Sequence, residues 1–311
     1  MIFPGAVNVS KFETLEEKLE AAGLNFDVEK TPVFHLLDGE HKVIPNQHAI
    51  RRTDKPTIIS SNTVSDGYKL LQNKAAFSWL LDLDEIHSPD IEYAGSFKGG
   101  ALVYVMVKQN ITSTLDDGSV LTFYVHLTNG HVGNKSLVAR PLVIATKDGK
   151  SSILGTGSTS TKIEKGIRHT KSMHVGLLDG KQVFTAFSGS SRSFISKAKA
   201  LAEKSCTEEQ AIELFKKTLA LPEVARDDEG KQASAVWNRI DKFVQLFHAA
   251  GGSTYWNAYH ATCEYITSER ATRRSDENED INVKRMESTL YSNNSRSLTL
   301  ALYQAVSQAE A

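Results

Sequence analysis

Two cysteines in 311 residues are too few for a disulfide framework. Cys206 and Cys263 also stand too far apart to make a zinc site by themselves. A reducing cytosol is the setting this favours. No apolar run approaches the roughly 18 to 20 residues that cross a bilayer, so no membrane partner is expected. The N-terminus, MIFPGAVNVSKFETLEEKLE, lacks the basic start and apolar stretch of a secretory leader. Internal repeats and low-complexity tracts are missing too. What remains is 40% hydrophobic and 23% charged, an ordinary folded composition. Its length suits one large domain or two smaller ones.

Acid is scarce in one stretch. Residues 131–205 hold 13 Lys and Arg against 4 Asp and Glu, a net +9. Residues 1–130 carry −6 and residues 206–311 carry −4. That asymmetry points to a polyanionic partner, unless acidic faces elsewhere neutralise the block in the fold.

The first half of the chain reads as a short helix and then strands. Thr14 and Glu17 form a capping box ahead of Leu15, Leu19 and Ala22, and Gly23 suits the stop. TPVFHLL runs into Asp38-Gly39, a hairpin signal. HAIRRT and PTIISSNTVS flank Asp54-Lys55. A helix is expected from Asn73, with Ala76, Phe77, Leu80 and Leu81 at helical spacing. IEYAGSF, Lys98-Gly99-Gly100 and ALVYVMVKQ form a second hairpin. Val103, Val105 and Val107 alternate there with Leu102, Tyr104 and Met106, so both faces are apolar and a central, doubly covered strand is predicted. Asp116-Asp117-Gly118 turns the chain into SVLTFYVHLTN, and GHVGNKS leads to SLVARPLVIAT.

Past about residue 175 the pattern becomes helical. FISKAKALAEK is one helix, and Thr207 with Gln210 caps another. Val236, Ile240, Val244 and Phe247 form a stripe, as do Trp256, Tyr259, Cys263 and Ile266 after a cap at Ser253. RRSDENED reads as a charged break, and a last helix starts at about Ser295. The expected class is therefore α+β: an antiparallel β-meander with a packed helix, followed by a mostly helical C-terminal part. Residues 1–175 would be the mixed part with the basic loop. Residues 176–311 would pack on it, within one continuous domain or as a second.

GTGSTSTKIEKGIRHT, residues 155–170, has almost nothing to bury. It is no Walker loop, because Lys162 follows Thr161 and precedes Ile163 where that motif needs Gly before Lys and a hydroxyl after it. A sugar-phosphate chain asks only for cations and hydroxyl donors along an extended segment. Lys162, Lys165, Arg168, His169, Thr170 and Lys171 supply them. Lys135 and Arg140, at the edge of the meander, would continue the track, and Arg192, Lys197 and Lys199 would extend it along the next helix. Phe97, Tyr104, Phe123 and Tyr124 are candidate stacking platforms, or else core. His126, His131, His169 and His174 have few carboxylates near them in sequence, which argues against a metal nuclease. No cofactor or metal is expected.

Several stretches resemble one known family: LEAAGLNFDVEKTPVF, VSDGYKLLQNKAAFSWL, YAGSFKGGALVYVMV, LTNGHVGNKSLVARPLVI, IRHT and YWNAYHATCEYITSERATR. In the same order they resemble the phage/plasmid-like proteins catalogued as a domain of unknown function. One departure is Ala145-Thr146-Lys147 after RPLVI, where the family commonly has a Cys-Gln-Asn-type stretch. The resemblance implies a mobile-element protein in the cytoplasm of a bacterial host and supplies no catalytic residue. A weaker, fold-level likeness is to phage single-strand annealing proteins. The expected function is non-enzymatic binding of single-stranded DNA, with annealing or recombination as its use and a homo-oligomer as its form. The alternatives are a host-protein-binding (anti-defence) protein and a metal-dependent nuclease.

Overall fold

The computed structural model describes residues 3–60, 62–82, 90–132, 137–156, 165–167, 180–228, 230–272, 280–291 and 293–310. Its centre is an antiparallel sheet of β1 (Ala6–Asn8), β4 (Asp90–Phe97), β5 (Leu102–Thr114), β6 (Val120–Gly130), β7 (Leu137–Lys147) and β8 (Lys150–Gly155), in that spatial order. A seventh strand, β9 (Lys165–Ile167), pairs with β7. β2 (Val28–Leu37) and β3 (Glu40–Arg52) form a separate hairpin. The helices are α1 (Leu15–Ala21), α2 (Asn73–Phe77), α3 (Gly180–Glu203), α4 (Glu208–Leu219), α5 (Lys231–Ala249), α6 (Tyr255–Glu264), α7 (Ile281–Tyr291) and α8 (Asn293–Glu310). The class is α+β, with the helices concentrated in the C-terminal part.

The alternation in β5 decides the layering. Leu102, Tyr104 and Met106 face a core shared with α3 to α8. Val103, Val105 and Val107 face a second core built by α1, α2 and the base of the β2–β3 hairpin. All six side chains are buried, as a doubly covered strand requires. Each contributes about 1.5–3 kcal/mol from burial alone. The sheet is thus the middle of three layers, with the N-terminal elements on one face and the C-terminal helices on the other.

Local signals held where short-range chemistry governs. Thr14 accepts from the Glu17 amide while the Glu17 carboxylate accepts from the Thr14 amide. Thr207 and Gln210 do the same for α4. Asp38 and Gly39 take φ of 52° and 81°, the left-handed pair a two-residue hairpin needs. In the β4–β5 turn Gly100 has φ 108°, and a Cβ there would lie 2.7 Å from Phe26 Cζ. That close approach is why the third turn residue, Gly100, is glycine.

Four expectations need correction. α2 is one short helix that tightens into a 3-10 turn over Ser78–Asp82, and Leu81 is exposed rather than packed. The cap of α6 is Thr254, not Ser253, because Thr254 reaches the Asn257 amide and Asn257 reaches back. The GTGSTSTKIEKGIRHT stretch is not all loop, since Lys165–Ile167 join the sheet. The sequence reading also passed over α7, where Ile281, Val283, Met286 and Leu290 keep an imperfect helical spacing.

Candidate nucleic-acid interface

The short strand β9 lies within the basic block. It pairs antiparallel with the start of β7, Leu137 opposite Ile167 and Ala139 opposite Lys165. Leu137 and Ile167 therefore lie side by side at one end of this strand pair. Lys135, Lys162, Arg168, His169, Thr170 and Lys171 themselves lie outside the described residues.

Arg140 is not at the edge of the meander. It sits on β7, opposite His126 of β6, and β8 and β9 occupy the other side of β7. Its guanidinium donates to the Leu290 carbonyl at the end of α7. It also stands over the Tyr291 ring, 5.6 Å from the centroid. Tyr291 Oη lies 3.0 Å from both His126 Nε2 and Thr128 Oγ1. His126 is fully buried, and that burial, reinforced by the Arg140 charge, holds its pKa well below the usual imidazole range. These groups are an internal polar cluster that ties α7 to the sheet.

Helix α3 carries Arg192, Lys197 and Lys199. Phe187, Ser191, Phe194, Ala198 and Leu201 are buried at spacings of four and three. The opposite side is left to solvent, with Arg192, Ser196 and Lys199 in one row and Ser193 and Lys197 in the next; Lys204 follows just past the helix end. Arg192, Lys199 and Lys204 are exposed and Lys197 is half-buried. None of the four enters an ion pair among the described residues. Asp116 and Glu203 share a small pocket with Lys199, so the positive face ends there. Lys147, by contrast, is neutralised by Asp117 at 3.3 Å.

The aromatic candidates are core. Phe97 stacks on Tyr104 at 5.1 Å, Phe123 meets Phe194 edge-on, and Tyr124 donates to Glu92 at 2.9 Å. All four are buried, and none offers a ring face to a base. His131 lies 2.8 Å from the Asn73 side-chain oxygen. His169 and His174 are outside the described residues. Among the described residues no group of three or more His, Cys, Asp or Glu could hold a metal ion. No described helix is long and apolar enough to cross a membrane.

These features define a class: an α+β protein whose antiparallel sheet is covered on both faces, with a helix face whose cations enter no ion pair among the described residues. The family model described as a domain of unknown function, DUF932, matches residues 61–290, and the chain belongs to that family. Five of the six quoted stretches fall inside the matched residues; only residues 19–34 lie before them. Comparison with curated proteins and with solved structures returns no match.

Proposed function

We propose that this is a non-enzymatic nucleic-acid-binding protein of a phage or related mobile element, acting on single-stranded DNA. Its use would be strand annealing or protection, by a homo-oligomer in the bacterial cytoplasm. The β7–β9 register supports the reading: it sets Leu137 and Ile167, which are next in sequence to two segments of the basic block, side by side. The unpaired cations of α3 lie next along the chain. Lysines dominate, so the contact is with phosphates and carries little sequence preference. Arg140 is no part of this surface.

The test is binding to labelled single strands at two or more salt concentrations. Each phosphate contact adds about 0.7 to the slope of log affinity against log salt for a single strand. Replacing Lys162, Lys165 and Arg168 together by Ala is expected to flatten that slope by about 2. Wild-type protein that binds no strand even at low salt refutes the reading.

A second reading, binding of a host protein, is favoured by one feature. Phe34, Leu36 and Val43 lie exposed on one face of the β2–β3 hairpin, with Phe34 paired to Val43. A single stoichiometric partner held by the wild type, lost on Phe34→Ser with Leu36→Ser, and accompanied by no DNA affinity would establish it.

A further inference from the structure

A cavity of about 170 Å³ lies between β8, the π turn Tyr265–Glu269 that follows α6, and α7. Arg285 of α7 lines it. The Arg285 Nε is shielded from solvent and has no hydrogen-bond partner. No carboxylate lines the cavity, and Arg285 makes no ion pair among the described residues. A buried guanidinium N–H without an acceptor is costly and calls for a ligand that supplies one.

The other polar groups sort into donors and acceptors. Thr267 gives its proton to the Cys263 carbonyl at 2.9 Å, and Thr289 gives its own to the Arg285 carbonyl at 2.8 Å. Neither has a proton left for a ligand. The Ser268 hydroxyl and the Asn282 side-chain amide make no hydrogen bond among the described residues, so both are free to donate. Ser151 shares a hydrogen bond with Thr146 at 2.8 Å, and it too can donate when Thr146 supplies that bond. Among the described residues, one cation, no anion and up to three neutral donors line one space. The space equals roughly five or six water volumes, well below the ~300 Å³ of a drug-sized site.

We infer that this cavity binds a single phosphate-type oxyanion, held by Arg285 with Ser268, Asn282 and Ser151. The planar guanidinium fork suits a tetrahedral oxyanion better than a lysine would. The same chemistry comes from two sources, free inorganic phosphate or the terminal phosphate of a strand. The site does not rest on the nucleic-acid reading, since the free anion alone tests it.

The experiment is calorimetric titration of the full chain with inorganic phosphate, and separately with a 5′-phosphorylated dinucleotide and its unphosphorylated form. Wild type is expected to bind phosphate saturably. Arg285→Ala is expected to weaken it about tenfold or more, with Arg285→Lys intermediate. Ser268→Ala, a surface-tolerant change, is expected to weaken it about threefold and guards against a folding artefact in the arginine variants. Preference for the phosphorylated dinucleotide over phosphate names the strand end as the source; equal or weaker binding names the free anion. No saturable phosphate binding by wild type, or equal binding by Arg285→Ala and wild type, overturns the inference. A chain that binds phosphate but no single strand overturns only the nucleic-acid reading.

Discussion

Replacing Arg140 by alanine separates a structural cation from one proposed to contact DNA. The guanidinium donates to the Leu290 carbonyl and stands over Tyr291. A hydrogen bond from a charged group is worth about 1.5–3 kcal/mol and a partly desolvated cation–π contact about 0.5–2 kcal/mol. Together they set an expected loss of about 2–4 kcal/mol, since the two share one geometry and do not add fully. An exposed cation such as Arg192 should cost within about 0.5 kcal/mol when removed. Urea unfolding measures the contrast: Arg140→Ala should lower the midpoint with the m-value unchanged, and Arg192→Ala should leave the midpoint in place. The salt dependence of strand binding should invert the order, with the slope reduced by about 0.7 for Arg192→Ala and unchanged for Arg140→Ala. An Arg140→Ala protein of wild-type stability with a flattened salt slope would refute this placement of Arg140.

Two further outcomes follow from the same geometry. His126 is neutral when folded and its pKa is depressed by burial, so the unfolded chain binds the extra proton below about pH 6.5; stability is full above that pH and falls by as much as about 1.4 kcal/mol per unit below it. Unfolding at pH 7 and pH 5 should therefore differ less in His126→Gln than in wild type, and equal differences would remove His126 as the cause. In the β4–β5 turn, Gly100→Ala should destabilise by about 2 kcal/mol or more, because φ is 108° and the new methyl meets Phe26. Gly99→Ala, with φ 67° and open space around it, should cost only about 1 kcal/mol, and equal losses at the two positions would discount the Phe26 contact.

The parts of the fold that were legible rest on interactions within a few residues. Thr14 with Glu17 and Thr207 with Gln210 are closed loops of chain, so the pattern alone names both partners. The two-faced apolar run of β5 is likewise a one-dimensional signal, and it announces two covering layers. The candidate site was legible only in part. A count of charge along the chain places cations in a segment, but it does not say which way each one points. Arg140 lies in the basic block and faces α7, 150 residues further on. Tyr104 and Phe123 have the composition of stacking platforms and lie inside the core. α7 is not legible in the sequence because Ile281, Val283, Met286 and Leu290 do not form a clean apolar stripe, and Tyr291 is held by its distant partners His126 and Thr128 on the sheet.

By itself the sequence determined the capping boxes of α1 and α4, the Asp38-Gly39 turn, the doubly covered strand and the charge of each segment, because these depend on near neighbours and on backbone sterics. Tertiary structure alone decided which cations remain for a partner, which aromatic rings are buried, and that Arg285 meets Ser268 and Ser151 around one cavity. Those outcomes come from contacts between residues far apart in the chain, where a side chain's environment is set by whatever the fold brings against it.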